Sequence, residues 1–98
     1  MKIKVGWSFE ARVDFETILL ARREQSVKGA RELRKVLLAA LDRLRDYPDL
    51  GRDITAVGRP GALRRLVSGL YLIDYRHIED TIIVVQIRDG RTDELRQS

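Results

Sequence analysis

Ninety-eight residues, 44% apolar and 35% charged, suit one globular domain (residues 1–98) with a single modest core rather than a disordered chain. The lack of cysteine excludes disulfides and thiolate chemistry, and one histidine argues against a histidine-based metal site. The formal charge of +4, with 15 arginines among 19 cations, favours anionic partners without specifying nucleic acid.

Residues 1–5 lack the apolar core of a signal peptide. No run approaches the ~20 apolar residues of a membrane span, so a cytoplasmic protein with no membrane partner is expected. Ile3, Val5 and Trp7 alternate with Lys2, Lys4 and Gly6, the pattern of a half-buried strand. Ser8 stands where a helix N-cap would, with Glu10 in the first turn to suit the dipole. Ala11, Phe15, Ile18, Leu19 and Arg22 share one face of the helix that follows, and Val13, Thr17 and Leu20 form a second, thinner line.

Ser26 is positioned to cap a second helix ending before Pro48. Its stripe is Ala30, Leu33, Leu37, Ala40, Leu44 and Tyr47. The middle of that helix, residues 36–41, is apolar all round, more than one packing partner covers. Either a terminus or a second protein is expected over Val36 or Leu38, the alternative being ordinary core packing with a few exposed apolar side chains. Residues 53–57 are too short and mixed to assign, and Gly58-Arg59-Pro60-Gly61 leads into the strand region.

Three runs then follow, residues 63–67, 70–76 and 81–88, broken at Ser68-Gly69 and at residues 77–80. The last run is apolar on both faces: Ile83, Val85 and Ile87 alternate with Ile82, Val84, Gln86 and Arg88. A strand of that kind lies inside a sheet, and the remaining candidate for its second neighbour is the N-terminal strand. The expected fold is α+β: strand, helix, helix, three strands, with a two-helix hairpin packed on one face of an antiparallel sheet.

This order of residues resembles the RelE/ParE superfamily, toxins of bacterial type II toxin–antitoxin modules. The resemblance rests on Val5-x-Trp7-Ser8-x-x-Ala11-x-x-Asp14-Phe15-x-x-Ile18, Ala30-x-x-Leu33 with Leu37, and Leu44-x-x-Tyr47-Pro48-x-x-Gly51-Arg52. It continues through Arg65-x-Val67-x-x-x-Tyr71-x-Ile73-x-Tyr75-Arg76 and Ile82-x-Val84-x-x-Ile87-Arg88-x-Gly90-Arg91-x-Asp93. The Pro-x-x-Gly-Arg exit and the Tyr-x-Ile-x-Tyr-Arg strand look more like the ParE branch, whose members poison DNA gyrase, than the RelE branch. Many relatives carry a histidine immediately before the last Gly-Arg, where this chain has Asp89.

The resemblance implies a toxin that binds DNA gyrase without cofactor or metal and is neutralised by a cognate antitoxin on Val13, Leu20, Val36 and Leu38. Arg65, Arg88 and Arg91 are then the target-binding residues. The alternatives are a ribosome-dependent endoribonuclease acting on messenger RNA, or a degenerate toxin that only binds its antitoxin. An endoribonuclease would stabilise the phosphorane with Arg64, Arg65, Arg88 and Arg91, expected together on the sheet face away from the helices. No partner acid or base is evident. His77 is assigned to a hairpin turn, residues 92–98 contain neither tyrosine nor histidine, and arginine, with a pKa above ~12, is a poor proton donor at neutral pH. The more modest reading makes Arg64 and Arg65 partners of Asp74 and Glu79 across the sheet.

Overall fold

The structure is a computed structural model that describes residues 3–55 and 63–91. Strand β1 spans Lys4–Trp7, helix α1 Phe9–Gln25 and helix α2 Val27–Asp46; strands β2 (Arg52–Asp53), β3 (Leu63–Ser68), β4 (Tyr71–Ile78) and β5 (Thr81–Asp89) complete the fold. Ser8 caps α1 by accepting from the Ala11 N–H at 3.1 Å. Ser26 closes α1 through its own N–H to the Arg22 carbonyl and opens α2 by accepting from the Gly29 N–H at 2.9 Å. One residue thus does the work of a loop, and the helices form a tight hairpin.

The five strands form one sheet in the order β1-β5-β4-β3-β2. As expected, β5 is internal and β1 lies beside it, and this pair is parallel, with Val5 opposite Ile82 and Trp7 opposite Val84. The other pairs are antiparallel. The β3–β4 turn has Gly69 at φ 58°, a conformation that suits glycine. The fifth strand, β2, pairs through only two residues with β3, too few to leave a period in the sequence.

The helices cover one face of the sheet. Its core comprises Ala11 of α1, Leu37, Ala40, Leu41 and Leu44 of α2, and Leu66, Ile73, Tyr75, Ile82, Val84 and Ile87 of the sheet. Trp7 is half-buried against this core and meets Phe15 edge-on, the ring centroids 5.1 Å apart. Tyr47, expected in the α2 stripe, is instead the C-cap residue and 65% exposed, because the helix ends one residue earlier and the chain leaves the stripe.

The alternation expected in the last strand is broken by a β-bulge. Asp74 pairs with Gln86 and Tyr75 with Val84, so Val85 has no partner on β4. The bulge brings Ile82, Val84 and Ile87 into the core together, while Ile83 and Val85 stay half-buried. Residues 82–87 looked apolar on both faces partly because the core face changes parity within them.

β1 pairs with β5 only as far as Val84, and beyond that point α1 and its cap supply partners to the β5 backbone. The Ser8 hydroxyl donates to the Val85 carbonyl at 3.0 Å, and the Asp14 carboxylate accepts from the Ile87 N–H at 3.0 Å. Between them Ala11 is fully buried, a small side chain where the helix backbone approaches β5. The Ser8-x-x-Ala11-x-x-Asp14 spacing is thus one helix face applied to the stretch of β5 that β1 does not reach.

Candidate functional site

A second lock joins the exit of α2 to β4. The Tyr75 hydroxyl donates to the Pro48 carbonyl and accepts from the Gly51 N–H, both at 2.8 Å. Burial pushes this hydroxyl's pKa above the usual tyrosine range, partly offset by the bond from Gly51. A Cβ at Gly51 would lie 2.8 Å from the Tyr75 ring and 2.9 Å from the Arg65 carbonyl carbon, so only glycine fits. The Pro48-x-x-Gly51 and Tyr75 motifs are therefore two halves of one structural contact.

Arg64 and Arg65 separate at this point. Arg64 lies on the helix side, where it donates to the Gly51 carbonyl at 2.8 Å and to the Asp49 carbonyl at 3.3 Å. The expectation that Arg64 joins a cluster on the open face is corrected: adjacent strand residues point to opposite faces, so Arg64 and Arg65 cannot share one. His77 lies within β4 rather than in a turn; its ring nitrogens sit 2.8 Å from the Asp49 carboxylate and 2.8 Å from the Glu79 carbonyl.

The open face, away from the helices, carries a charged constellation at its centre. Asp74 is 1% exposed although no helix covers it. Arg65 forks onto both of its oxygens, Nε to Oδ1 at 2.7 Å and Nη2 to Oδ2 at 3.0 Å. The Gln86 amide also donates to Oδ2, and the Arg88 guanidinium stands 3.9 Å from the same oxygen. Val67, exposed, and Leu72, half-buried, flank the group. The Arg65–Asp74 pairing matches the modest reading above. Gln86 was not singled out, and only its cross-strand register beside Asp74 identifies it.

Arg91 also lies apart from this constellation. It bonds Asp89, with Nη2 2.9 Å from Oδ2, and lines a recess of about 610 Å³ together with Arg22, Lys28, Leu33, Val36, Leu70 and Tyr71. Of the four expected arginines, the structure brings together two, Arg65 and Arg88.

The four apolar residues expected at a partner interface divide in a similar way. Val13, Leu20 and Val36 are 46%, 60% and 50% exposed, and Leu38 is partly buried against the core. Leu20 lies in a groove of about 480 Å³ between the helices, with Val27 and Ala30 in its floor and Arg23, Arg31, Arg34 and Glu16 among its lining residues. Val36 belongs to the Arg91 recess, and Leu38 lines a third hollow beside Val5 and Trp7. Val27, 50% exposed, was not anticipated, since at the start of α2 it falls outside the helical stripe.

Among the described residues no group of three or more acidic, histidine or cysteine side chains is placed to hold a metal ion, and no helix is long and apolar enough to cross a membrane.

Comparison with known proteins places this geometry. A family model described as the ParE toxin of the type II toxin–antitoxin system, parDE, matches residues 5–94. The fold is similar to a solved structure of a chromosomal ParDE toxin–antitoxin system from P. aeruginosa, with a TM-score of 0.72 and 16% identity over 89% of this chain and 95% of that one. Among curated proteins none is significantly similar in sequence.

Proposed function

This chain belongs to the ParE toxin family of type II toxin–antitoxin systems, and on that premise we propose that it inhibits DNA gyrase by protein binding and is neutralised by a cognate antitoxin. The observation that carries the choice of mechanism is the state of Arg65. Both arms of its guanidinium are engaged by the buried Asp74 carboxylate, which cancels the charge a phosphorane would need. Strand cleavage through a ribose hydroxyl also needs a proton acceptor and donor beside that charge. His77, the single histidine of the chain, bonds Asp49 and the Glu79 carbonyl at the end of β4 instead. Binding makes no such demand.

In this reading the target meets the open face through Arg65 and Arg88, with Arg91 at the margin. The antitoxin lies across the helical hairpin and covers Val13, Leu20, Val36 and Leu38. The arginines along the Leu20 groove suit a partner segment with acidic residues beside apolar ones, folding as it binds. The complex needs no cofactor, and its setting is the cytoplasm, where gyrase acts.

The test is a gyrase supercoiling assay beside ribosome toeprinting, using one preparation shown to bind its antitoxin. Inhibited supercoiling without codon-positioned cleavage is expected. Cleaved messenger RNA with normal supercoiling would overturn the proposal in favour of the endoribonuclease. Neither effect would identify a degenerate toxin that only binds its antitoxin.

A further inference from the structure

Cross-strand partners fall on one side of a sheet, so the register decides which side chains share the open face. Among the described strand residues it places Lys4, Arg52, Arg65, Arg76 and Arg88 there with a single carboxylate, Asp74. Arg65 and Arg88 are already engaged, Arg65 by both oxygens of Asp74. Among the described residues the side chains of Lys4, Arg52 and Arg76 enter no hydrogen bond or ion pair. Lys4 and Arg52 are exposed and Arg76 is half-buried. Two of the three are mounted on the Tyr75–Gly51 lock. Arg52 follows Gly51 and Arg76 follows Tyr75, so the bond between hydroxyl and amide ties the two backbones together.

These three cations stand in line across the sheet. Lys4 is on one edge strand, Arg52 on the other and Arg76 on the central strand. The register carries Lys4 through Thr81 to Ile78, two residues beyond Arg76 on β4. It carries Arg52 through Arg65 to Asp74, two residues before Arg76. Each step thus crosses two strands and two residues, about 12 Å at ordinary sheet spacings. The major groove of a DNA duplex is also ~12 Å wide.

We propose that the open face binds the phosphate backbone of duplex DNA through Lys4, Arg76 and Arg52, so that the toxin holds DNA as well as enzyme. The inference deepens the gyrase reading and rests on it for where such a duplex is met. Single strands suit the face less well, because their readers stack bases on aromatic rings. The aromatic side chains of this chain all lie on the helix side. Trp7, Phe15, Tyr71 and Tyr75 are in or against the core, Phe9 opens α1 and Tyr47 ends α2. An acidic protein suits it less well too. Hot spots cluster at the centre of an interface, whereas these cations run from edge to edge past the Asp74 carboxylate.

The test titrates a short fluorescein-labelled DNA duplex, without gyrase, at several salt concentrations. With three phosphates neutralised, log affinity should fall against log salt with a slope of about −2.7, a roughly fortyfold loss between 50 and 200 mM. Lys4→Gln, Arg52→Gln and Arg76→Gln should each reduce that slope by about 0.9. The triple variant should inhibit supercoiling about tenfold more weakly and keep antitoxin affinity within about threefold, since the antitoxin surface lies across the helices. No duplex binding at low salt overturns the proposal, as does a slope near zero or an unchanged slope in the triple variant. Equal or tighter binding of a single-stranded RNA of the same length overturns the choice of duplex. Equal binding of polyglutamate would point to an acidic protein and overturn it as well.

Should the triple variant fail to fold, Lys4→Gln with Arg52→Gln changes only exposed side chains and should reduce the slope by about 1.8. An unchanged slope there overturns the proposal equally. Duplex binding with the expected slope beside normal supercoiling would uphold this surface and overturn the gyrase reading. Inhibited supercoiling without duplex binding would do the reverse.

Discussion

The helix-covered face of the sheet buries Ile73, Tyr75, Ile82, Val84 and Ile87 at 2% exposure or less, whereas among the described residues the open face buries only Asp74 to that degree. The covered face gains stability from apolar area and from polar locks at its margins, Ser8 and Asp14 at the bulge and Tyr75 at Gly51. The open face stakes its one buried side chain on charge, where the net gain in stability is small and the gain in geometry is large. The contrast separates two kinds of motif residue. Ser8, Ala11, Asp14, Gly51 and Tyr75 hold the chain together, whereas Arg65 and Arg88 lie on the open face around Asp74.

That division is open to attack, most forcefully at Gly51. Gly51→Ala forces a methyl into the Tyr75 ring and the Arg65 backbone, both fixed by packing, and should lower stability by about 3 kcal/mol in chemical denaturation. A near-neutral result would show that the lock between the α2 exit and β4 is loose.

Tyr75→Phe is expected to cost about 2 kcal/mol by orphaning the Gly51 N–H and the Pro48 carbonyl. It also has a pH signature. Because burial raises the folded-state pKa, the hydroxyl contributes stability in full below the unfolded value of about 10. That contribution is lost as pH rises through the folded value. Wild-type stability should therefore fall more steeply than that of Tyr75→Phe above about pH 10, and parallel curves would contradict the burial argument.

Asp14→Ala should cost about 1–2 kcal/mol, because it leaves the Ile87 N–H without its acceptor beside the bulge. Hydrogen exchange at Ile87 reports this site directly, and unchanged protection there would refute the staple.

How far the sequence revealed each face follows from the kind of signal each leaves. Helix caps and apolar stripes are local, so Ser8, Ser26 and the order of the main elements were legible, as was β1 beside β5. The bulge was not, because a single extra residue converts one period-two pattern into two half-patterns that read as apolar on both sides. Ser8 was legible as a cap but not as a donor to Val85, a contact 77 residues away. For the arginines the information was present and misapplied: consecutive strand positions had already ruled out a shared face for Arg64 and Arg65. Arg91 follows the end of β5, where strand parity no longer applies.

The smallest effects are expected on the outer side of the helices. Val13→Ser and Leu20→Ser should each change stability by less than about 0.5 kcal/mol, since both side chains are largely exposed. Each should nevertheless weaken antitoxin binding in titration calorimetry. Unchanged affinity in both variants would move the antitoxin off the hairpin.

The parallel pairing of β1 with β5 also constrains how the molecule comes into being. Lys4 lies opposite Thr81, so the first strand to be synthesised must wait for 81 − 4 = 77 further residues before its partner exists. At about 5–20 residues per second that delay lasts roughly 4–15 s, during which the helical hairpin, closed by contacts local in sequence, can already form. Until β5 emerges, the orphaned backbone of Val85 and Ile87 is not there for Ser8 and Asp14 to meet, and Arg88 is not yet beside Asp74. The Leu20 groove between the helices, part of the surface expected to bind an antitoxin, can therefore be complete before the open face exists.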